Sequence, residues 1–393
     1  MNVTPSDRVQ AIGSYAFAEV DRQVEKLHQQ GIDPIDFGVG DPTIPPPEEV
    51  RRATRDGVET HRCAGYPSYV GMDRYREAIV GWTRDRFGVD LNPDTEVTST
   101  IGSKEGVFNF AEGFVNPGDA VIVPTPGYPP YTRGTQFAEG EVYYVPLLPE
   151  NDYLIDTDEI PADIARAAKI MWVNYPNSPT GTVAPPEFFE RVVEFGHEND
   201  IIVASDEAYT EIYYGDAPPT SILEVEKEGV VVFQSLSKRS AMTGWRCGWV
   251  AGDERVVEVF KKVKTNIDSG TPNFVQEGAI AALEDEKHVR QSRADYRHKR
   301  DVLADALVES GLPDCRPDGT IYLWQQVPEG YSSVDFATRL LDPEIAVVTT
   351  PGGWISDETD TGLNPGEGFV RFALVPSIEN TERAADRIRQ AEW

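Results

Sequence analysis

The chain has 393 residues, 40% of them hydrophobic, enough to bury one large and one smaller apolar core but not three independent domains. Asp and Glu number 66 against 36 Lys and Arg, and the resulting formal net charge of −30 is spread along the chain, which argues against binding nucleic acid or an anionic membrane. A charge this large points to a protein adapted to high salt, where at 1 M the screening length falls to about 3 Å.

No apolar run reaches the ~20 residues needed to cross a bilayer, and no internal repeat or low-complexity tract interrupts the pattern. The opening Met1-Asn-Val-Thr-Pro-Ser-Asp lacks the charged-then-apolar pattern of a secretion signal. Cys63, Cys247 and Cys315 show neither disulfide nor metal spacing, and the five histidines form no ligand pattern. The expected location is therefore the reducing cytoplasm, with no metal implied.

In chain order, Tyr15-Ala-Phe-Ala-Glu-Val-Asp21 is followed by Asp36-Phe-Gly-Val-Gly-Asp-Pro42, whose Gly40 permits close approach of another group. Gly65-Tyr-Pro-Ser-Tyr-Val-Gly71 precedes an amphipathic helix beginning near Met72. Ile101-Gly-Ser-Lys-Glu-Gly106 opens another helix, and free N–H groups at such a helix start suit an anion. Apolar runs near 120, 142, 170, 201, 230 and 247 alternate with helical stretches, the pattern of a largely parallel α/β sheet. The stretch from about Thr271 to Gly311 is predicted helical, after which Ile321-Tyr-Leu-Trp, Ile345-Ala-Val-Val and Gly368-Phe-Val-Arg-Phe-Ala are predicted strands of a second lobe. The domains expected are an N-terminal segment 1–47 that joins the smaller lobe, a large domain 48–285 and a small domain 286–393.

Chemistry concentrates at the ends of three predicted strands. Gly229-Val-Val-Val-Phe-Gln delivers Ser235-Leu-Ser-Lys-Arg-Ser-Ala-Met-Thr-Gly-Trp-Arg246, which sets one lysine among hydroxyls with an arginine eight residues on. Lys238 can condense with an aldehyde, while Ser235, Ser237 and Arg246 can hold a phosphate on the same molecule, and pyridoxal phosphate carries both groups. The run Ile201–Tyr209 ends in Asp206, a carboxylate able to keep a pyridine nitrogen protonated, and Tyr209, a phenol able to hydrogen-bond the ring oxygen. Lys169-Ile-Met-Trp-Val runs into Asn174-Tyr-Pro-Asn-Ser-Pro-Thr-Gly181.

In order and spacing this set resembles the fold-type I pyridoxal-phosphate enzymes, specifically the class I/II aminotransferases, from about Tyr15 to the C-terminal helix. The resemblance implies a large domain with a mostly parallel seven-stranded sheet flanked by helices and a smaller α+β domain. It implies Lys238 as Schiff-base lysine and proton carrier, Asp206 and Tyr209 on the ring, and Arg246, Ser235 and Ser237 on the phosphate with Ser103 and Lys104. Tyr128, in Pro124-Thr-Pro-Gly-Tyr-Pro-Pro-Tyr131, matches the ring that stacks on the pyridine face. Arg371 matches the arginine that grips the substrate α-carboxylate, Gly40 the glycine that offers its backbone to it, and Tyr66 a tyrosine that reaches the phosphate in a neighbouring subunit, which makes the expected assembly a homodimer with shared sites. One departure is Ser178 where the family has Asn before Pro-Thr-Gly, which leaves Ser178 or Asn177 as the contact to the ring oxygen.

The activity implied is transfer of an amino group between an amino acid and a 2-oxo acid, one pair being 2-oxoglutarate and glutamate. Tyr15 to Asp21, the Pro-Gly-Tyr-Pro-Pro-Tyr loop and Asn266-Ile-Asp-Ser-Gly270 look like the LL-diaminopimelate and N-succinyl-diaminopimelate branch of lysine synthesis, which places Tyr15 at the substrate. Aspartate, alanine or aromatic aminotransferases share the core motifs, a carbon–sulfur β-lyase shares Lys238, Asp206 and Arg371, and a ligand-sensing regulator lacks here the basic extension it needs for DNA.

Overall fold

The computed structural model describes residues 1, 3–10, 18–42 and 44–393. Its strands are β1 (Ile35–Asp36), β2 (Val97–Thr100), β3 (Ala120–Thr125), β4 (Glu141–Pro146), β5 (Ala168–Asn174), β6 (Ile202–Asp206), β7 (Val230–Ser235), β8 (Gly248–Gly252), β9 (Tyr322–Gln326), β10 (Val347–Val348), β11 (Thr350–Pro351) and β12 (Phe369–Ala373). Seven of them form one sheet in the order β2-β8-β7-β6-β5-β3-β4, parallel except that β8 runs against both its neighbours. The α/β architecture expected from the apolar runs is what forms.

Both faces of this sheet are covered, which is why its central strands β3, β5 and β7 carry continuous apolar runs rather than alternating ones. Ile170, Trp172, Val231 and Phe233 pack toward the helices Ser103–Phe110 and Glu254–Lys264 through Val107, Phe110 and Phe260. Their neighbours Met171, Val173, Val230 and Val232 join the opposite core with Tyr75, Ile79, Phe188 and Phe189. Period-two alternation of side chains thus sends every second residue to each core. A side chain such as Phe233, fully buried, contributes about 1.5–3 kcal/mol relative to exposure.

A second core gathers around the antiparallel strands β11-β12-β9, and it includes Phe37, Leu303, Leu307, Leu323 and Phe372. The N-terminal segment enters it by the parallel pair β1 and β10, Ile35 opposite Val347 and Asp36 opposite Val348. The predicted helical stretch 271–311 is two helices, Asn273–Glu284 and Lys287–Glu309, broken at Asp285 and Glu286. The first packs in the core beside the large sheet and the second beside Ile378–Ile388 in the smaller core.

Register decides what meets at the sheet edge. Asn174 lies opposite Asp206 and Asp206 opposite Phe233, so β5, β6 and β7 end at one level. Gly248 of β8 lies opposite both Ser235 and Thr100, which brings the turn after β2 beside the turn after β7. In parallel α/β sheets the crevice at the carboxyl ends of the strands is where ligands bind.

Candidate active site

A cavity of about 560 Å³ opens at this edge, and Lys238, Asp206, Tyr128, Arg246 and Arg371 all line it. Strand β7 ends at Ser235, whose Oγ accepts the Ser237 N–H at 3.1 Å and so caps the four-residue helix that carries Lys238. The Lys238 Nζ donates to the Gly40 carbonyl. Burial lowers the pKa of this amine, and Arg371 and Arg246 push the same way against Tyr322 and Asp41. An amine held below its ordinary range is the more readily neutral and nucleophilic.

Arg246 sits with φ +57° and donates to the Thr243 carbonyl at 2.6 Å and the Ile101 carbonyl at 3.4 Å. Its guanidinium fills the space where a side chain at position 102 would stand, and Gly102, with φ +72°, has none. The helix Ser103–Phe110 starts there, its first turn fixed by Glu105, which accepts the Ile101 N–H at 3.0 Å and the fully buried Lys264 amine at 3.2 Å. Ser103, Ser235, Ser237, Arg246 and the helix start converge as hydroxyl, guanidinium and dipole donors, a set that suits a phosphate.

Asp206 is 5% exposed. Its Oδ2 accepts the Tyr131 hydroxyl at 2.8 Å and its Oδ1 the Ala208 N–H at 3.3 Å. Burial pushes its pKa up to about 6, against both hydrogen bonds. Glu207, the next residue, faces away from the cavity into the Ser205 hydroxyl at 3.1 Å and the Ile222 N–H at 3.0 Å. Burial raises its pKa to about 7 from an ordinary 4.5. A carboxyl raised on folding stabilises most below its unfolded pKa and loses that contribution as pH climbs through about 7, here by about 3 kcal/mol. Relative to the parent, the Tm of cofactor-free Glu207→Gln is therefore expected to climb by a few degrees between pH 5 and pH 8, on top of a pH-independent loss from setting an amide against Gln234 Nε2, which donates to Glu207 at 3.3 Å, as followed by circular dichroism.

On the other wall, Arg371 donates through Nη2 to the Gly38 carbonyl at 3.0 Å, and its guanidinium lies 4.6 Å over the Tyr322 ring. Its Nε is buried without a hydrogen-bond partner. A donor left bare beside a cavity suits a carboxylate that takes two parallel N–H bonds. Any side chain at position 40 would collide with the Tyr322 hydroxyl, so glycine there is a steric requirement.

Tyr322 was not singled out by sequence reasoning, although it joins the two walls. Its hydroxyl is 3.0 Å from that of Tyr209. Burial opposes its ionisation, but Arg371 and Lys238 outweigh this and hold the phenol below the usual range, whereas burial and then Tyr322 hold Tyr209 well above it. Tyr131 was likewise missed. Strand pairing supplies the signal for Tyr322, since Arg371 pairs with Trp324 and Tyr322 is the same-face neighbour two residues along.

Gly40, Ser103, Lys104, Tyr128, Ser178, Tyr209, Ser235 and Ser237 line the same cavity. Of the two candidates for the ring oxygen, Ser178 lines it and Asn177 does not. Asn177 accepts the Thr180 hydroxyl at 2.8 Å and donates to the Asn174 carbonyl at 3.2 Å, so its amide holds the loop. Tyr66 also lies outside the cavity and is 88% exposed. Tyr15 falls outside the described residues. Taken together, a depressed amine, a buried acid, a phosphate-type donor set and a bare Arg371 Nε fit pyridoxal phosphate and an amino acid.

Residues 32–388 match the family described as aminotransferase class I and II. An LL-diaminopimelate aminotransferase of Aquifex aeolicus is 45% identical over 98% of both chains. Among solved structures, an aspartate aminotransferase mutant of Thermus thermophilus is 30% identical with a TM-score of 0.90, covering 99% of this chain and 100% of its own. A probable N-succinyldiaminopimelate aminotransferase from Thermus thermophilus is 31% identical with a TM-score of 0.86, covering 96% and 100%.

Proposed function

We propose, for a chain that belongs to the class I and II aminotransferases and is thus a pyridoxal-phosphate-dependent enzyme passing amino groups between amino acids and 2-oxo acids, that its amino donor is LL-diaminopimelate and its acceptor 2-oxoglutarate. The one observation that carries the site is Arg371, its Nε unpartnered, in the same cavity as the depressed Lys238 amine. The donor is supported by the relatives bearing that name at 42–45% identity over essentially the whole chain.

When bound, pyridoxal phosphate supplies an aldehyde and an electron-withdrawing ring that makes the amino acid Cα–H acidic. Ser103, Ser235, Ser237, Arg246 and the helix start would hold its phosphate, with Lys104 at the same end; Tyr128 would pack on its ring, and Tyr209 and Ser178 would serve its ring oxygen. Asp206 keeps the ring nitrogen protonated. Arg371 and the Gly40 backbone would take the substrate carboxylate and so orient the substrate for loss of its Cα proton. Lys238, whose depressed amine lines the cavity, would hold the aldehyde and, once free, would serve as the base that takes up and gives back the substrate proton. Residues 48–285 carry the cofactor groups, and 286–393 with 1–47 carry Arg371 and Gly40.

Tyr66 reaches the phosphate of a second copy, which makes the working unit a homodimer. The chain acts in a saline cytoplasm, supported by its charge of −30 and by cysteines that are all free. Among the described residues no helix is long and apolar enough to cross a membrane.

The test is a donor screen in molar salt with 2-oxoglutarate, following glutamate formation. LL-Diaminopimelate is expected to exceed aspartate, alanine and tyrosine as donor by at least about tenfold in kcat/KM, about 1.4 kcal/mol in transition-state binding. Dilution into 0.1 M salt should lower activity and shift sedimentation toward monomer, as repulsion is unscreened over about 10 Å. Pyruvate and thiol released from cystathionine without an oxo acid would identify a β-lyase instead.

A further inference from the structure

Building on the assignment of Asp206 to the ring nitrogen, we propose that Tyr131 is a positioning residue that holds the Asp206 carboxylate ionised and fixes its direction. Tyr131 is 1% exposed, and its Oη donates to Asp206 Oδ2 at 2.8 Å. Its ring is stacked on the Trp172 indole, with centroids 4.6 Å apart and planes 19° apart, and meets Tyr128 edge-on at 5.8 Å and 81°. These two contacts fix the plane of the Tyr131 ring and so the position of its hydroxyl beside Asp206.

One backbone turn carries both aromatic residues. Tyr128 caps the helix Pro129–Phe137, and the Tyr131 N–H donates to the Tyr128 carbonyl at 3.0 Å. The ring assigned to the cofactor face and the hydroxyl behind its acid are therefore placed by the same few φ and ψ angles.

The groups facing Asp206 are the Tyr131 hydroxyl, the Ala208 N–H and the phenols of Tyr128 and Tyr209. Among the described residues, Tyr131 is the side chain that donates to this carboxylate. An acid and a ring nitrogen in contact share one proton. Donation to the carboxylate favours the arrangement with the proton on nitrogen and the ring cationic, and its loss favours the neutral pair. Burial first, and Asp206 second, keep the Tyr131 phenol far above its ordinary range, so it remains a donor at any working pH.

Tyr131→Phe keeps the ring and its stacking and removes one oxygen. In molar salt we expect kcat to fall by about 10- to 100-fold with KM for the amino donor changed by no more than about twofold, since one charge-assisted hydrogen bond is at stake. Affinity of the cofactor-free protein for pyridoxal phosphate, read by tryptophan fluorescence, should weaken about tenfold, and the pH midpoint of the bound cofactor's absorption should move by about one unit. Unchanged kcat, affinity and midpoint would overturn the proposal, and so would a drop in Tm with those three unmoved. Asp206→Asn in parallel separates the two claims: if it alone is impaired, only the role of Tyr131 falls, and if neither variant is impaired, the assignment of Asp206 falls with it.

Discussion

Lys238→Ala is expected to abolish turnover, by on the order of 10⁴-fold or more, because one amine both holds the aldehyde and moves the proton. Among the described residues Lys238 is the lysine just after β7 with a depressed amine in the cavity. Truncation also frees the Gly40 carbonyl, which faces an open cavity and can bind water instead. The fold should therefore survive, with Tm close to that of the parent. The measurement is steady-state kcat in molar salt, with circular dichroism to confirm folding and the absorption spectrum to report loss of the covalent link. A variant that kept full turnover would remove the chemical basis for every role given to the surrounding residues.

Arg371→Lys tests orientation separately from charge. The lysine retains a cation, yet it has no planar fork and no flat face to lie over Tyr322, where the guanidinium now sits at 4.6 Å. Loss of one of two charge-assisted hydrogen bonds, together with the misdirection of the Cα–H bond that follows, is expected to lower kcat/KM by on the order of 10²-fold. Arg371→Ala should lose about 10³-fold, since the carboxylate then enters a buried site without a counter-charge. An amine lacking the carboxylate provides the control. Its slow half-reaction should be nearly indifferent to both substitutions, and equal losses for the two substrate types would show that Arg371 supports the fold rather than the substrate.

The sequence made much of this architecture visible for a physical reason. A strand buried on both faces is usually a run of apolar residues, as in Ile170–Val173 and Val230–Phe233, so β5 and β7 could be located without neighbours. β2 could not, because Val97-Thr-Ser-Thr100 looks like a polar surface segment, although all four residues are buried and the Thr98, Ser99 and Thr100 hydroxyls have no partner. Side chains that meet in one cavity were also legible as a set: Lys238 for its amine, Arg246 for its spacing, Asp206 for its place at a strand end. Tyr131 and Tyr322 were not, since the groups that lie across from them are set by helix packing for the first and strand register for the second. The choice between Asn177 and Ser178 was closed to the sequence for a related reason. Only the folded loop shows that the longer amide turns back on Thr180 and Asn174 while the shorter hydroxyl is left facing the cavity.

The antiparallel placement of β8 between β7 and β2 limits what protein engineering can do here. Adding or deleting a single residue between Lys238 and Arg246 would either drag the guanidinium out of the space left by Gly102 or slide β8 by one, and a slide of one exchanges its two faces. Trp249 and Val250, now seated in opposite cores, would trade places. Length variation should consequently be refused in this connection yet accepted at the exposed Asp216 and Ala217, a contrast that a library of single-codon insertions and deletions would display directly.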